Sequence, residues 1–363
     1  MKIIISGGGT GGHVFPAIAI ADAIKELNPE AEILFVGAKG KLEMQAVPKA
    51  GYNIIGINIG GFQRRFTWRN VKLIYRLVLS IIKSNKIISE FKPELVLGVG
   101  GYASGPVLRV AAWKKIPIFI QEQNSYAGIT NKLIAHKAEK IFVAFEGMQK
   151  FFKKSKIQLL GNPVRKDFLH TVSKEEGLRY FGLNPALKTI GVFGGSLGAR
   201  TLNESINAKY NDISKLEGVQ VLWQVGKIYY EEFQSHPISK LKHVKMLPFI
   251  DRMDLAYAIC NVCITRAGAI SLSELAVTRT VAVLVPSPNV AENHQRKNAE
   301  SLLKENAALM VLDVEARKSL WSKCIELLNN ENKCIEIKNN LERIAKPLAA
   351  QMIAEQLVNF VKK

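Results

Sequence analysis

Twice in this chain a short apolar run ends in a cluster of glycines that opens a helical pattern. Lys2 to Ser6 leads into Gly7 to Gly12 and a helix over Ala17 to Leu27, and Thr189 to Phe193 leads into Gly194 to Gly198 and a helix over Ala199 to Ala208. A strand, a glycine loop and a helix in that order form the repeating unit of a parallel, doubly wound sheet, so this pairing limits the fold more than any other feature. After the first unit, Ile33 to Val36, Leu95 to Gly98, Ile116 to Gln121 and Ile141 to Ala144 read as further strands. After the second, Val219 to Gln224, Val244 to Leu247, Val262 to Thr265 and Val281 to Val285 do the same, with helices over Met253 to Ala258, Ser271 to Ala276 and Asn298 to Leu303. Gly161-Asn162-Pro163-Val164-Arg165 interrupts the alternation and marks a boundary. At 363 residues the chain exceeds what one core usually organises. The expected architecture is α/β, with Rossmann-like domains at 1–163 and 164–340 and a C-terminal helix at 341–363 that returns to the first. The domains are expected to face a central cleft at the carboxyl ends of their strands, where ligands bind in such sheets.

Charge narrows the partners. A formal net charge of +19 favours nucleic acid, anionic lipid or phosphorylated substrates without choosing among them. No recognised nucleic-acid module accompanies the charge, so no nucleic-acid partner is expected. The first residues hold only three isoleucines before the glycines, too few for a signal peptide, which implies a cytoplasmic protein. The longest apolar stretch, Leu73 to Ile82, is short and broken by Arg76, so membrane contact is expected to be peripheral. Cys260, Cys263, Cys324 and Cys334 lack zinc-site spacing and read as structural thiols.

Gly7 to Gly12 formally satisfies G-x-G-x-x-G, but a nicotinamide site also needs an acid at the end of the second strand, and that strand ends in Gly37-Ala38. What remains is an anion cradle, since glycines admit close backbone approach and helix-start N–H groups attract phosphate. The same logic applies to Gly194-Gly195-Ser196-Leu197-Gly198-Ala199-Arg200, where Ser196 adds a hydroxyl. Gly98 to Pro106 is a third glycine-rich segment, either a ligand loop or a tight turn. His13 closes the first loop and suits a general base, a donor to a diphosphate, or a helix start with no chemistry. No Asp-x-Asp triplet occurs, so no metal and no cofactor are expected.

These segments, with Glu122-Gln123-Asn124, Gly161 to Arg165 and Arg266-Ala267-Gly268-Ala269, recur in the order and over the span that resemble the MurG family of glycosyltransferases. The resemblance implies a GT-B fold and transfer of N-acetylglucosamine, with inversion, from UDP-N-acetylglucosamine to the muramyl 4-hydroxyl of lipid I, giving lipid II for peptidoglycan. A related transferase using another lipid acceptor is the alternative. By the same resemblance, Ser196 and Arg165 meet the donor diphosphate, Ile250 meets the uracil, and Ala269, Ile270, Ser271, Leu272 and Ser273 begin a helix near the phosphates. Glu274 takes the ribose and Gln295 the sugar. Thr10, Gly11, Gly12 and Asn124 complete the donor site from the first domain, Gly9, Gly101, Tyr102 and Ser104 form the acceptor loops, and His13 is the first candidate for the catalytic base. The basic and aromatic segment around Arg64, Arg65, Phe66, Trp68, Tyr75, Leu79 and Ile82, with Trp113, resembles a membrane patch. Expected partners are the donor, lipid I, an anionic membrane surface, and cell-wall synthesis and division proteins, at the cytoplasmic face of the bacterial inner membrane.

Overall fold

The computed structural model describes residues 1–60, 68–170, 172–195 and 197–362, with the backbone alone for 68–74 and Ala291. The chain divides into two compact units, Met1–Arg165 with Lys346–Lys363, and Lys166–Ala345.

The first unit is built on seven parallel strands, β1 (Lys2–Ser6), β2 (Glu32–Ala38), β3 (Asn53–Ile57), β4 (Leu95–Gly98), β5 (Ile118–Glu122), β6 (Lys140–Val143) and β7 (Ile157–Leu159). They pair in the order β3-β2-β1-β4-β5-β6-β7. Side chains alternate across each strand, so Ile3 and Ile5 enter the core on one face while Ile4 enters the core on the other, all fully buried. Burial on both faces is why β1 reads as an unbroken apolar run. Helices Gly11–Leu27 and Ala349–Val361 pack together on the Ile3 face, the latter through Ile353 and Leu357.

The second unit repeats the plan with β8 (Lys188–Phe193), β9 (Val219–Gln224), β10 (Val244–Leu247), β11 (Val262–Thr265), β12 (Ala282–Leu284) and β13 (Leu309–Met310), all parallel. Their order, β10-β9-β8-β11-β12-β13, reverses direction between β8 and β11 as the first sheet does between β1 and β4. This is the doubly wound α/β architecture expected from the paired glycine loops. Its central strands were legible, but β3, β7 and β13 were not, because two or three residues, or an edge run containing Asn53 and Gly56, carry no usable periodicity. The first helix starts at Gly11, six residues before the apolar pattern, because glycines are weak helix formers and conceal a helix start. The second unit continues to Ala345 because helix Glu331–Ile344 belongs to it. The four cysteines are free thiols, and burial pushes Cys324 up to about 12.

Candidate functional site

In each sheet, the motif loops leave the two strands that flank the reversal, the position where ligands bind in doubly wound folds; the loops after β1, β4 and β8 are rich in glycine, while the one after β11 carries Gly268 alone. In the first unit these are the loops after β1 and β4. Gly7 lies against Val99 and the Gly100 carbonyl, and a Cβ on Gly100 would stand 2.8 Å from the His13 ring. The close approach of two loops accounts for Gly100 and Gly101, while Gly98 is set against Leu108. His13 occupies the first turn of helix Gly11–Leu27, its Nδ1 3.1 Å from the Thr10 hydroxyl. Thr10 stands at the cap position in extended backbone, yet its side chain turns to His13 and makes no capping bond.

Two of the expected acceptor-loop groups are committed elsewhere. The Gly9 N–H donates to Glu43 Oε2 at 2.9 Å, and the Ser104 hydroxyl donates to the Gly101 carbonyl at 2.9 Å with the residue fully buried. Ser104 therefore holds its own loop. Tyr102 is 54% exposed. Glu43, not anticipated from the sequence, is buried and also accepts from Ala38 N–H at 2.9 Å, so one carboxylate ties the first glycine loop to the end of β2. The only sequence trace of it is a single acid within a lysine-bearing segment after a strand.

The Glu122-Gln123-Asn124 and Gly161-Asn162 motifs form one buried amide network. Gln121 Nε2 donates to Asn162 Oδ1 at 3.1 Å, and Asn162 Nδ2 donates to the Gln123 carbonyl at 3.0 Å. Glu122 accepts from the N–H groups of Asn124 and Gly128 and from Asn131 Nδ2. Burial raises its pKa, opposed by these hydrogen bonds. Glu122 thus shapes the loop that carries Asn124. Arg165, at the end of this unit, stacks over Phe15 at 5.8 Å.

In the second unit, the loop after β8 enters helix Arg200–Asn207 and the loop after β11 enters helix Ala269–Thr278. Neither helix has a side-chain cap or an acid in its first turn, an arrangement that favours an anion at the N-terminus. Ser196 lies outside the described residues. Arg200 is paired with Glu232 at 2.9 Å and stacked on Tyr229, so it braces the loop. Gly226, which no motif marks, faces Gly198 so closely that a Cβ on it would lie 2.4 Å from the Gly198 Cα. Both have positive φ, +77 at Gly198 and +91 at Gly226.

Ala269, Ile270 and Leu272 are buried, Ser271 is half-buried, and the Ser273 hydroxyl donates to the Ala269 carbonyl. Glu274, in the same helix, is only 8% exposed, which does not suit a solvated helix residue. Ile250 is buried in the loop after β10. Gln295 sits in the first turn of helix His294–Lys304, its carbonyl accepting from Ser287 N–H at 2.8 Å and its Nε2 oriented by that bond. Glu292 and Asn293 just before it both have positive φ, 54° and 52°, a backbone cost concentrated where the sugar contact is expected. Among the described residues, no group of three or more His, Cys, Asp or Glu side chains is placed to hold a metal ion.

Of the expected membrane residues, Arg64, Arg65 and Phe66 lie outside the described residues, and Trp68 is described by its helical backbone alone. In helix Trp68–Phe91, Ile87 and Ile88 enter the core while Tyr75, Val78, Leu79 and Ile82 are exposed at helical spacing, Ile82 by 59%. A purely core-facing helix would not leave that stripe open. The adjacent helix Ser104–Trp113 ends in Trp113, 61% exposed under Arg109. No helix among the described residues is long and apolar enough to cross a membrane.

Two family models cover most of the chain, the glycosyltransferase family 28 N-terminal domain over residues 3–143 and its C-terminal domain over 189–356. The chain is 47% identical over its full length to a Bacteroides fragilis protein, 96% of which is covered, named UDP-N-acetylglucosamine--N-acetylmuramyl-(pentapeptide) pyrophosphoryl-undecaprenol N-acetylglucosamine transferase. It is 49% identical over its full length to the Parabacteroides distasonis protein of the same name, 99% of which is covered. Among solved structures, the Acinetobacter baumannii MurG superposes with a TM-score of 0.78 at 25% identity over 99% of both chains. A Neisseria meningitidis UDP-GlcNAc 2-epimerase shares the fold alone, with a TM-score of 0.69 at 13% identity over 99% of this chain and all of the other.

Proposed function

We infer, from the premise that the chain belongs to glycosyltransferase family 28 and within it to the MurG family, that it transfers N-acetylglucosamine from UDP-N-acetylglucosamine to lipid I, forming lipid II for peptidoglycan synthesis. The observation that carries this is full-length similarity at nearly half identity, joined to glycine loops placed at the reversal of both sheets.

The chemistry proposed is an inverting displacement. The muramyl 4-hydroxyl attacks the anomeric carbon while the bond to the diphosphate breaks, and His13 takes the hydroxyl proton. Thr10, beside Nδ1, holds the ring's orientation. Charge that builds on departing UDP meets the uncapped starts of helices Arg200–Asn207 and Ala269–Thr278, whose dipoles stabilise an anion without an added cation. Glu274 accepts from the ribose hydroxyls, which suits a carboxylate with two acceptor oxygens. Gln295 donates through Nε2, its carbonyl being held by Ser287.

The exposed Tyr75, Val78, Leu79 and Ile82 stripe, with Trp113 and a strongly basic chain, supports peripheral binding to an anionic membrane, where the lipid-linked acceptor resides. The site assignment is tested by UDP binding. Glu274→Gln is expected to weaken UDP, and a crystal soaked with UDP is expected to show the ribose at Glu274; a ribose elsewhere overturns it.

A further inference from the structure

Asp313 follows β13 and has no place in the motifs that carry the resemblance. Its carboxylate is mostly buried, with 15% side-chain exposure, and it accepts from two elements at once. One oxygen pairs with Arg266 Nη1, and the other accepts from the Thr201 hydroxyl at 3.0 Å. Arg266 leaves the end of β11 and precedes helix Ala269–Thr278, and its Nη1 also donates to the Val285 carbonyl at 3.1 Å, just past β12. Thr201 is the second residue of helix Arg200–Asn207. One carboxylate thus ties the ends of β11, β12 and β13 to the first turn of the helix that follows β8.

We propose that Asp313 is a positioning residue for the donor diphosphate. It fixes the two helix starts relative to each other, and it makes Arg266 a bracing cation with its charge satisfied inside the protein. Both starts must present N–H groups to the same pair of phosphates, and a shift of a few tenths of an ångström in one helix degrades hydrogen bonds whose strength falls steeply with geometry. The proposal rests on the placement of the diphosphate at these helices.

Three variants of the full-length protein test it, with UDP binding by calorimetry and kinetics for donor and acceptor as readouts. Thr201→Val removes the bond to the helix and leaves the ion pair intact. It is expected to weaken UDP and raise the donor KM by about fivefold through the displaced helix start, with the acceptor KM nearly unchanged and a modest fall in melting temperature from the bond lost within the fold. Asp313→Asn is expected to raise the donor KM further, and Asp313→Glu to recover part of the loss. Glu274→Gln serves as the reference. If Glu274→Gln weakens UDP while folded Thr201→Val and Asp313→Asn proteins bind it as the parent does, the Asp313 role is wrong. If Glu274→Gln has no effect, the placement of UDP against helix Ala269–Thr278 is wrong, and the proposal falls with it.

Discussion

A Cβ on Gly101 would stand 2.2 Å from the carbonyl oxygen of Gly8, so the loops after β1 and β4 meet backbone to backbone. Both residues also have positive φ, +143 at Gly8 and +80 at Gly101. Gly101→Ala therefore meets a steric and a conformational penalty together, and the β4 loop must move away from His13. The expected result is a stability loss of roughly 1–3 kcal/mol and at least about a tenfold loss of kcat/KM. Chemical unfolding and steady-state kinetics on the same preparation check both, and a fully active variant would show that loop contact is dispensable.

His13 is assigned the proton transfer. His13→Ala is expected to lower kcat by roughly a hundredfold or more while UDP still binds, since a positioned base contributes on that order and the diphosphate is proposed to sit at helix starts in the second unit. A variant with near-normal turnover at saturating substrates removes the base role.

The exposed stripe on helix Trp68–Phe91 predicts membrane binding that can be removed without unfolding. Ile82→Ser with Trp113→Ala changes two side chains that are mostly solvent-facing. Partition onto anionic vesicles should fall by roughly tenfold or more, and the parent's binding should weaken with salt. Equal flotation of parent and variant would return the stripe to an ordinary surface.

Asp254 predicts an acid-linked loss of stability in the second unit. Burial opposes its ionisation, but hydrogen bonds from Arg252, one of them 2.7 Å, hold its pKa below the usual carboxylate value. A depressed folded-state pKa contributes stability above the unfolded value of about 3.9 and loses it as pH falls through the folded one. Asp254→Asn should cost about 1.5 kcal/mol near neutral pH, with the gap from the parent closing in strong acid. A gap of equal size at both pH values contradicts the linkage.

How much could be read in the sequence follows from how each feature is enforced. The glycine loops stand out because backbone contacts, Gly8 with Gly101 and Gly198 with Gly226, admit no side chain, and that demand leaves a visible cluster in the composition. Central strands such as β1 are apolar because both faces are covered. Glu43 and Asp313 left no such trace, since the loop or helix each one ties down, through Gly9 for Glu43 and through Thr201 and Arg266 for Asp313, is far away in sequence, and a lone acid has neither period nor motif. Gly226 carries no sequence signal for the same reason, being a lone glycine whose partner, Gly198, lies in another loop. Ser104 is expected among the acceptor-loop residues from its motif, and its hydroxyl bond to the Gly101 carbonyl, within the same turn, is not visible in the sequence.

The most direct test follows labelled N-acetylglucosamine from its UDP donor onto lipid I in excess EDTA. Helix starts acting in place of a cation predict lipid II formation at the same rate with and without the chelator. No product without added magnesium or manganese, or no transfer to lipid I under any condition, would contradict the account.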